Sequence, residues 1–200
     1  MHDNIGDVFY DYGTGLYANI TNRCPCKCEF CIRDMTDSLG SADSLWLKRE
    51  PTYDEIIELL TEVDLAPYDE LIFCGYGEPL VRLDDVVKVA SYVKENTHLK
   101  TRINTNGLSD LIHKKDTAPM LEGIIDAISI SLNAPTASKY NKLCHPIYGE
   151  EAFDAMIEFT KRVKEFVPSV TMSIVNVIPP GDINQCREIA EALGVSFRVR

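Results

Sequence analysis

Gly15-Leu16-Tyr17-Ala18-Asn19-Ile20-Thr21 reads as a short strand, and Asn22-Arg23-Cys24-Pro25-Cys26-Lys27-Cys28-Glu29-Phe30-Cys31 follows it without a break. A strand that empties into a ligand-rich loop is the first part of a β–loop–α unit, and the rest of the chain repeats that unit. Short apolar or β-branched runs recur as ELIFCG (70–75), KTRIN (100–104), AISISLN (127–133), VTMSIVNVI (170–178) and VSFRV (195–199). Helical stripes lie between them. Ile56, Leu59, Leu60 and Val63 share one face, opened by a Thr52-x-x-Glu55 capping box after Pro51. Val86, Val89, Ala90 and Val93 repeat the spacing, as do Ala152, Met156, Phe159, Val163 and Phe166. Ile183, Cys186, Ala190 and Leu193 form the last stripe, stopped by Gly194.

Alternating β and α predicts a parallel sheet with right-handed crossovers. Six such units are too few to close an eight-stranded barrel. The expected fold is therefore α/β, a partial (βα)6 barrel of parallel strands in a single domain over 1–200. VFYDYGTGLY (Val8–Tyr17) admits an N-terminal hairpin over the Gly13–Gly15 turn. Ligands of such sheets collect at the carboxyl ends of the strands, so the informative residues are expected just after each strand.

Composition narrows the function classes. With 45% hydrophobic and 26% charged residues the chain suits a globular protein with a sizeable core. No apolar run reaches the length of a spanning helix, and the N-terminus lacks a basic start followed by an apolar stretch, so a cytoplasmic location is expected. The net charge of -11 repels phosphate backbones. KREP near Lys48 and TKRVK near Lys161 are short and read as solvated faces, so nucleic acid is not the expected partner. A single nucleotide or small metabolite stays open.

Four of the seven cysteines fall between Cys24 and Cys31. A reducing compartment argues against disulfides, and crowding of this kind points to metal. Cys24-x3-Cys28-x2-Cys31 can wrap an iron–sulfur cubane from one short loop, leaving one iron without a protein ligand. Zinc would need a fourth ligand, and no pair with finger spacing follows. A redox pair of Cys28 and Cys31 would leave Cys24 unexplained. Cys26 reads as a small, oxidation-prone residue in polar surroundings.

Cys-x3-Cys-x-aromatic-Cys after a first strand resembles the signature of the radical S-adenosylmethionine (SAM) superfamily. The resemblance implies a [4Fe–4S] cluster on Cys24, Cys28 and Cys31 in a cluster loop over 22–33, with the open iron chelating the methionine part of SAM and Phe30 near the adenine. Gly75-Tyr76-Gly77-Glu78-Pro79 is by itself a Gly-rich strand-to-helix turn. It resembles the family's Gly-Gly-Glu-Pro motif, which implies backbone contacts of Gly75, Tyr76, Gly77 and Glu78 to the SAM amino group, although Tyr76 stands where the first glycine belongs. Asn104-Thr105-Asn106-Gly107 favours a turn. The resemblance places Asn104 and Asn106 towards the ribose or the methionyl carboxylate. Ser129, Ser131 and Asn133 alternate along a strand, which implies either a ligand-lined face or a half-exposed strand. Val175–Pro179 resembles the segment that flanks the adenine. TNRCPCKCEFCIR, DSLWLKREP, FCGYGEP, NTNGLSDLIH, DTAP, SISLNAPT and IPP together resemble the TatD-associated radical SAM proteins.

The implied chemistry is one-electron reduction of the SAM sulfonium by the reduced cluster. It gives methionine and a 5′-deoxyadenosyl radical that takes hydrogen from a small-molecule or nucleotide substrate, with flavodoxin or ferredoxin as electron donor. An activating enzyme that installs a radical on a partner protein is the first alternative, and a non-catalytic iron–sulfur electron carrier is the second. Cys144-His145-Pro146, read as a polar loop, offers a thiol and a proton shuttle or merely an inert thiol and a structural histidine. Arg198 and Arg200 suit a carboxylate or phosphate, or are terminal surface charges. Cys74 and Cys186 read as packed, His98 and His113 as turn residues, and Trp46 as part of a lid or as a staple of the loop before Thr52.

Overall fold

The computed structural model describes residues 5–200. Residues 1–4, which open the N-terminal stretch without a basic start, lie outside the described residues. The hairpin admitted by Gly13–Gly15 is present. β1 (Phe9–Tyr12) pairs antiparallel with β2 (Gly15–Ala18), Phe9 opposite Ala18 and Tyr12 opposite Gly15. Gly13 turns the chain with φ 64, a left-handed conformation that glycine adopts at no steric cost.

The chain divides into two compact units: residues 1–24, 32–103 and 124–126, and residues 25–31, 104–123 and 127–200. In the first, β3 (Glu70–Phe73) pairs parallel with β2, Leu16 opposite Leu71. β4 (Lys100–Thr105) runs parallel to β3, with Phe73 opposite Ile103. α1 (Tyr53–Glu62) starts where the sequence signals it. The Thr52 hydroxyl accepts from the Glu55 amide at 3.3 Å and the Glu55 carboxylate accepts from the Thr52 amide at 2.8 Å, so two orphan donors are satisfied reciprocally. α2 (Leu83–Asn96) buries Leu83, Val86, Val89, Ala90 and Val93, a 3.6-residue stripe that anchors it by apolar burial.

In the second unit, β5 (Ala127–Ser131), β6 (Ser169–Ile174) and β7 (Ser196–Val199) run parallel, with Ser129 opposite Thr171 and Met172 opposite Phe197. The unit's helices are α3 (Ser109–His113), α4 (Ala137–Cys144), α5 (Glu151–Val163) and α6 (Pro180–Leu193). α5 buries Ala152, Met156, Phe159 and Val163, the expected stripe, and Gly194 ends α6 with φ 69. The strands follow the order β1-β2-β3-β4 in the first unit and β5-β6-β7 in the second. The α/β class, the mostly parallel strands and the hairpin are thus those expected.

Three boundaries differ from expectation. The strand expected to reach Ile178 stops at Ile174, because the Val175 amide turns aside to the Asn133 Oδ1 at 3.3 Å. The strand expected to reach Asn133 stops at Ser131, and Asn133 takes a left-handed φ of 56. Cys144-His145-Pro146 is not a loop: Cys144 ends α4 and His145 caps it with φ 44. Among the described residues, no helix is long and apolar enough to cross a membrane.

Candidate functional site

Within the first unit, the chain leaving β2 is bolted down before it reaches the cysteines. Asn19 is fully buried, and its Nδ2 donates to the carbonyls of Asp7 (3.1 Å) and Leu45 (2.8 Å). Asn22 exchanges two hydrogen bonds with the Leu47 backbone, at 2.7 and 3.1 Å. Glu50 accepts from the Thr21 hydroxyl and takes a two-pronged bond from Arg23, at 2.7 and 2.8 Å. Burial alone would raise the Glu50 pKa; these donors outweigh it and hold the carboxyl below its usual range. Arg82, nearly buried, donates to the Ile20 carbonyl at 2.8 Å. The DSLWLKREP segment is therefore a bracket for residues 19–23, a role its resemblance to a family segment did not specify.

The turn after β3 lies against the same backbone. The Glu78 amide donates to the Arg23 carbonyl at 2.8 Å, one residue before Cys24. A Cβ on Gly77 would stand 2.2 Å from the Thr21 carbonyl oxygen, and one on Gly75 would stand 2.1 Å from Asn19 Oδ1. Both glycines are needed for close approach, not for an unusual φ. Tyr76 takes no left-handed φ either. Its ring is buried with Tyr10, Ala42 and Leu45 and meets Trp46 edge-on at 5.1 Å, while its hydroxyl donates to the Thr36 carbonyl. A tyrosine is thus compatible with the position where the resemblance has glycine. Glu78 is buried, and its carboxylate caps the following turn through the Leu80 amide at 3.0 Å.

Cys24, Cys28, Cys31 and Phe30 are all partly exposed, and all seven cysteines are thiols. Residues 25–31 lie along the end of α4. The Lys27 amide donates to the Cys144 carbonyl and the Glu29 amide to the Leu143 carbonyl, both at 3.0 Å, and the Ile147 amide donates to the Pro25 carbonyl at 2.9 Å. The Cys28 thiol points to the Cys144 carbonyl at 3.8 Å. Cys26 corrects an expectation: it is buried, not set in an open polar loop where it would be prone to oxidation. Its sulfur accepts from Asn106 Nδ2 at 3.8 Å and lies close to Tyr140. Burial pushes the Tyr140 phenol well above its usual pKa, reinforced by the neighbouring Cys26, Cys144 and Cys28.

The remaining candidates lie at the ends of β4 and β5. Asn106 caps its own turn, Oδ1 accepting from the Leu108 amide at 3.0 Å. Asn104 is partly buried, and among the described residues its Oδ1 finds no hydrogen-bond partner. Ser129 is buried and its hydroxyl meets that of Ser173 at 3.3 Å, while Ser131 accepts from Arg200 at 3.1 Å. Asn133 donates to the Cys144 sulfur at 3.9 Å. A groove of about 260 Å³ opens beside Glu29, lined by Ala134, Lys142, Leu143 and Ile178, with the Lys139–Asp182 ion pair (2.7 Å) on its wall. His145 reaches Glu29 at 3.3 Å, and His98 reaches the Tyr68 carbonyl at 2.9 Å. Cys186 is fully buried, which pushes its thiol to about 12.

Three thiols on one bracketed loop suit a cluster whose irons each take one thiolate. Among the described residues no three His, Cys, Asp or Glu side chains gather closely enough to hold a metal ion. A cubane asks for something else, since its protein sulfurs bind separate corners and stand farther apart than the ligands of one ion. The unmatched Asn104 Oδ1 is the kind of buried acceptor that a ligand hydroxyl or amine satisfies.

A parallel α/β sheet with a cysteine loop after its first parallel strand suits an enzyme that carries an iron–sulfur cluster. The Radical SAM superfamily matches residues 18–193, and the chain belongs to it. The family implies a [4Fe–4S] cluster and SAM. The molybdenum cofactor biosynthesis protein 1 of Dictyostelium discoideum is 27% identical over 75% of this chain and 22% of its own length. The tungsten-containing aldehyde ferredoxin oxidoreductase cofactor-modifying protein of Pyrococcus furiosus is 26% identical over 89% of this chain and 47% of its own. The dual-specificity RNA methyltransferase RlmN of Campylobacter fetus is 28% identical over 62% and 35%. The chain therefore spans less than half the length of these curated relatives. Among solved structures, Streptococcus suis SuiB bound to precursor peptide SuiA shares the fold at a TM-score of 0.69 and 19% identity, over 94% of this chain and 39% of that one. A radical SAM methyltransferase from Sphaerobacter thermophilus matches at 0.66 and 15% identity, over 96% and 68%.

Proposed function

We propose that Cys24, Cys28 and Cys31 hold one [4Fe–4S] cluster and that the chain cleaves SAM reductively to act on a small-molecule or nucleotide substrate. Held by Cys24, Cys28 and Cys31, such a cluster would supply the electron for reductive cleavage of SAM to methionine and a 5′-deoxyadenosyl radical. The chain's own residues do the rest. Gly75 and Gly77 let the turn after β3 approach closely, the backbone of Gly75, Tyr76, Gly77 and Glu78 meets the SAM amino group, and Phe30, Asn106, Ser129, Ser131 and Asn133 complete the contacts to SAM. Asn104 Oδ1 accepts a hydrogen bond from it. The observation that carries this reading is the cysteine loop itself, with three partly exposed thiols on a backbone fixed at both ends. Two of the three curated relatives are named for work on a cofactor, which supports a small-molecule substrate. Within the superfamily, the run of segments from TNRCPCKCEFCIR to IPP favours the TatD-associated group. A flavodoxin or ferredoxin is the fitting electron donor.

The test is anaerobic reconstitution with iron and sulfide, then SAM and dithionite, with 5′-deoxyadenosine followed by chromatography. Its formation, lost in each of Cys24→Ala, Cys28→Ala and Cys31→Ala, is the expected result. Four irons per chain with no 5′-deoxyadenosine would make the chain an electron carrier instead.

A further inference from the structure

The chemistry proposed above needs a cluster of low reduction potential, and Fe–S potentials depend on charge and on hydrogen bonds to the sulfurs. Backbone amides that donate to cluster sulfur favour the reduced, more negative state and raise the potential. In this chain two amides of the cysteine loop are already committed. Lys27 and Glu29 donate to the carbonyls of Cys144 and Leu143, the last two residues of α4. A helix ends with unsatisfied carbonyls and a partial negative charge. The loop supplies the donors that α4 lacks, and α4 in return sets its negative end against residues 27–29.

A lock holds this arrangement from behind. Tyr140, one turn before the end of α4, is 1% exposed and lies beside the buried Cys26 thiol, which accepts from Asn106 Nδ2 at 3.8 Å. Cys26 lies between Pro25, whose carbonyl takes the Ile147 amide, and Lys27. From these contacts we infer that Tyr140 and Cys26 are positioning residues: they press the cysteine loop onto the carbonyl end of α4, keep the Lys27 and Glu29 amides away from cluster sulfur and so hold the potential low. The inference rests on the cluster assignment proposed above. It gives the fourth cysteine of the run a role that ligation does not.

The test compares the parent chain with Tyr140→Phe, Cys26→Ala and Cys26→Ser. Amide hydrogen exchange at Lys27 and Glu29 is read in the iron-free chain, and the potential is read by EPR-monitored titration after reconstitution. Iron loss to a chelator is followed alongside. In Tyr140→Phe and Cys26→Ala both amides are expected to exchange at least tenfold faster, with far-UV circular dichroism unchanged. The potential rises by about 59 mV or more, a tenfold change in a one-electron equilibrium. Iron leaves roughly tenfold faster, at the lower end of the effect of outer partners on metal sites. Cys26→Ser keeps an acceptor for Asn106 beside Tyr140 and restores parental behaviour. Parental exchange and potential in Tyr140→Phe and Cys26→Ala would overturn the inference, as would failure of serine to rescue. A parent chain that binds no iron would instead sink the cluster assignment, and the exchange data would still decide whether the lock exists.

Discussion

Tyr76 and Gly77 stand side by side in one turn and answer different demands. Gly77 has no space for a side chain, since its Cβ would meet the backbone oxygen of Thr21, an atom that cannot swing away. Gly77→Ala is therefore expected to cost at least ~1–3 kcal/mol, seen as a Tm fall of roughly 2–4 °C per kcal/mol in a chain of this size. At Asn104 the loss is one of binding. Removing the unmatched Oδ1 in Asn104→Ala should weaken SAM about 3–10-fold, as one hydrogen bond of about 1 kcal/mol implies, measured by calorimetry on the reconstituted chain. An unchanged affinity would remove Asn104 from the site. Sequence reading found the Gly-x-Gly-Glu-Pro turn but not the reason for Tyr76, whose partners Tyr10, Ala42 and Trp46 are distant in the chain. Cys26 was misjudged for the same reason. Pro25 and Lys27 suggest a polar setting, while Asn106 and Tyr140 supply a buried one.

At the scale of elements, those with a local signal were legible. α1 carries its own start in Thr52 and Glu55, and Thr52→Ala should destabilise the chain by about 1 kcal/mol in chemical denaturation. The Arg49 guanidinium, hydrogen-bonded to Glu55, holds that carboxyl near 2, so the capping box stays formed well into acid. α4 escaped because ASKYNKLC offers only Ala137, Tyr140, Leu143 and Cys144 as apolar positions, too short a run to stand out as a stripe. Its packing comes from the cysteine loop, a tertiary partner that no window of eight residues contains. The strand ends were overrun for a related cause. Val175–Ile178 is β-branched and apolar enough to continue β6, but Asn133 intercepts its first amide.

For the molecule as a whole, charge and pH make separate claims. A net charge of -11 with only short basic runs should leave the chain unretained by RNA at about 50 mM salt, where non-specific attraction is strong. A gel-shift assay with a structured RNA checks this, and retention there would argue for a substrate like that named for RlmN. Acid stability follows from Asp126. Burial alone would raise its pKa, but Lys94 at 2.7 Å and the Thr101 amide at 2.8 Å lower it below the ordinary aspartate value. A carboxyl depressed in the folded state contributes stability above its unfolded pKa of about 3.9 and loses it as the pH falls through the folded value. Tm should therefore fall below about pH 4, and less steeply in Asp126→Asn, which starts lower at pH 7.

The bonds from Lys27 and Glu29 to the end of α4 also fix a timetable. The cysteines leave the ribosome early, whereas Leu143, Cys144 and Ile147 are made more than a hundred residues later. At roughly 5–20 residues per second the interval is on the order of ten seconds. Throughout it the Lys27 and Glu29 amides lack the α4 carbonyls to which they donate in the folded chain. On the cluster assignment proposed above, a cluster delivered within that interval would meet a loop that still lacks its α4 contacts.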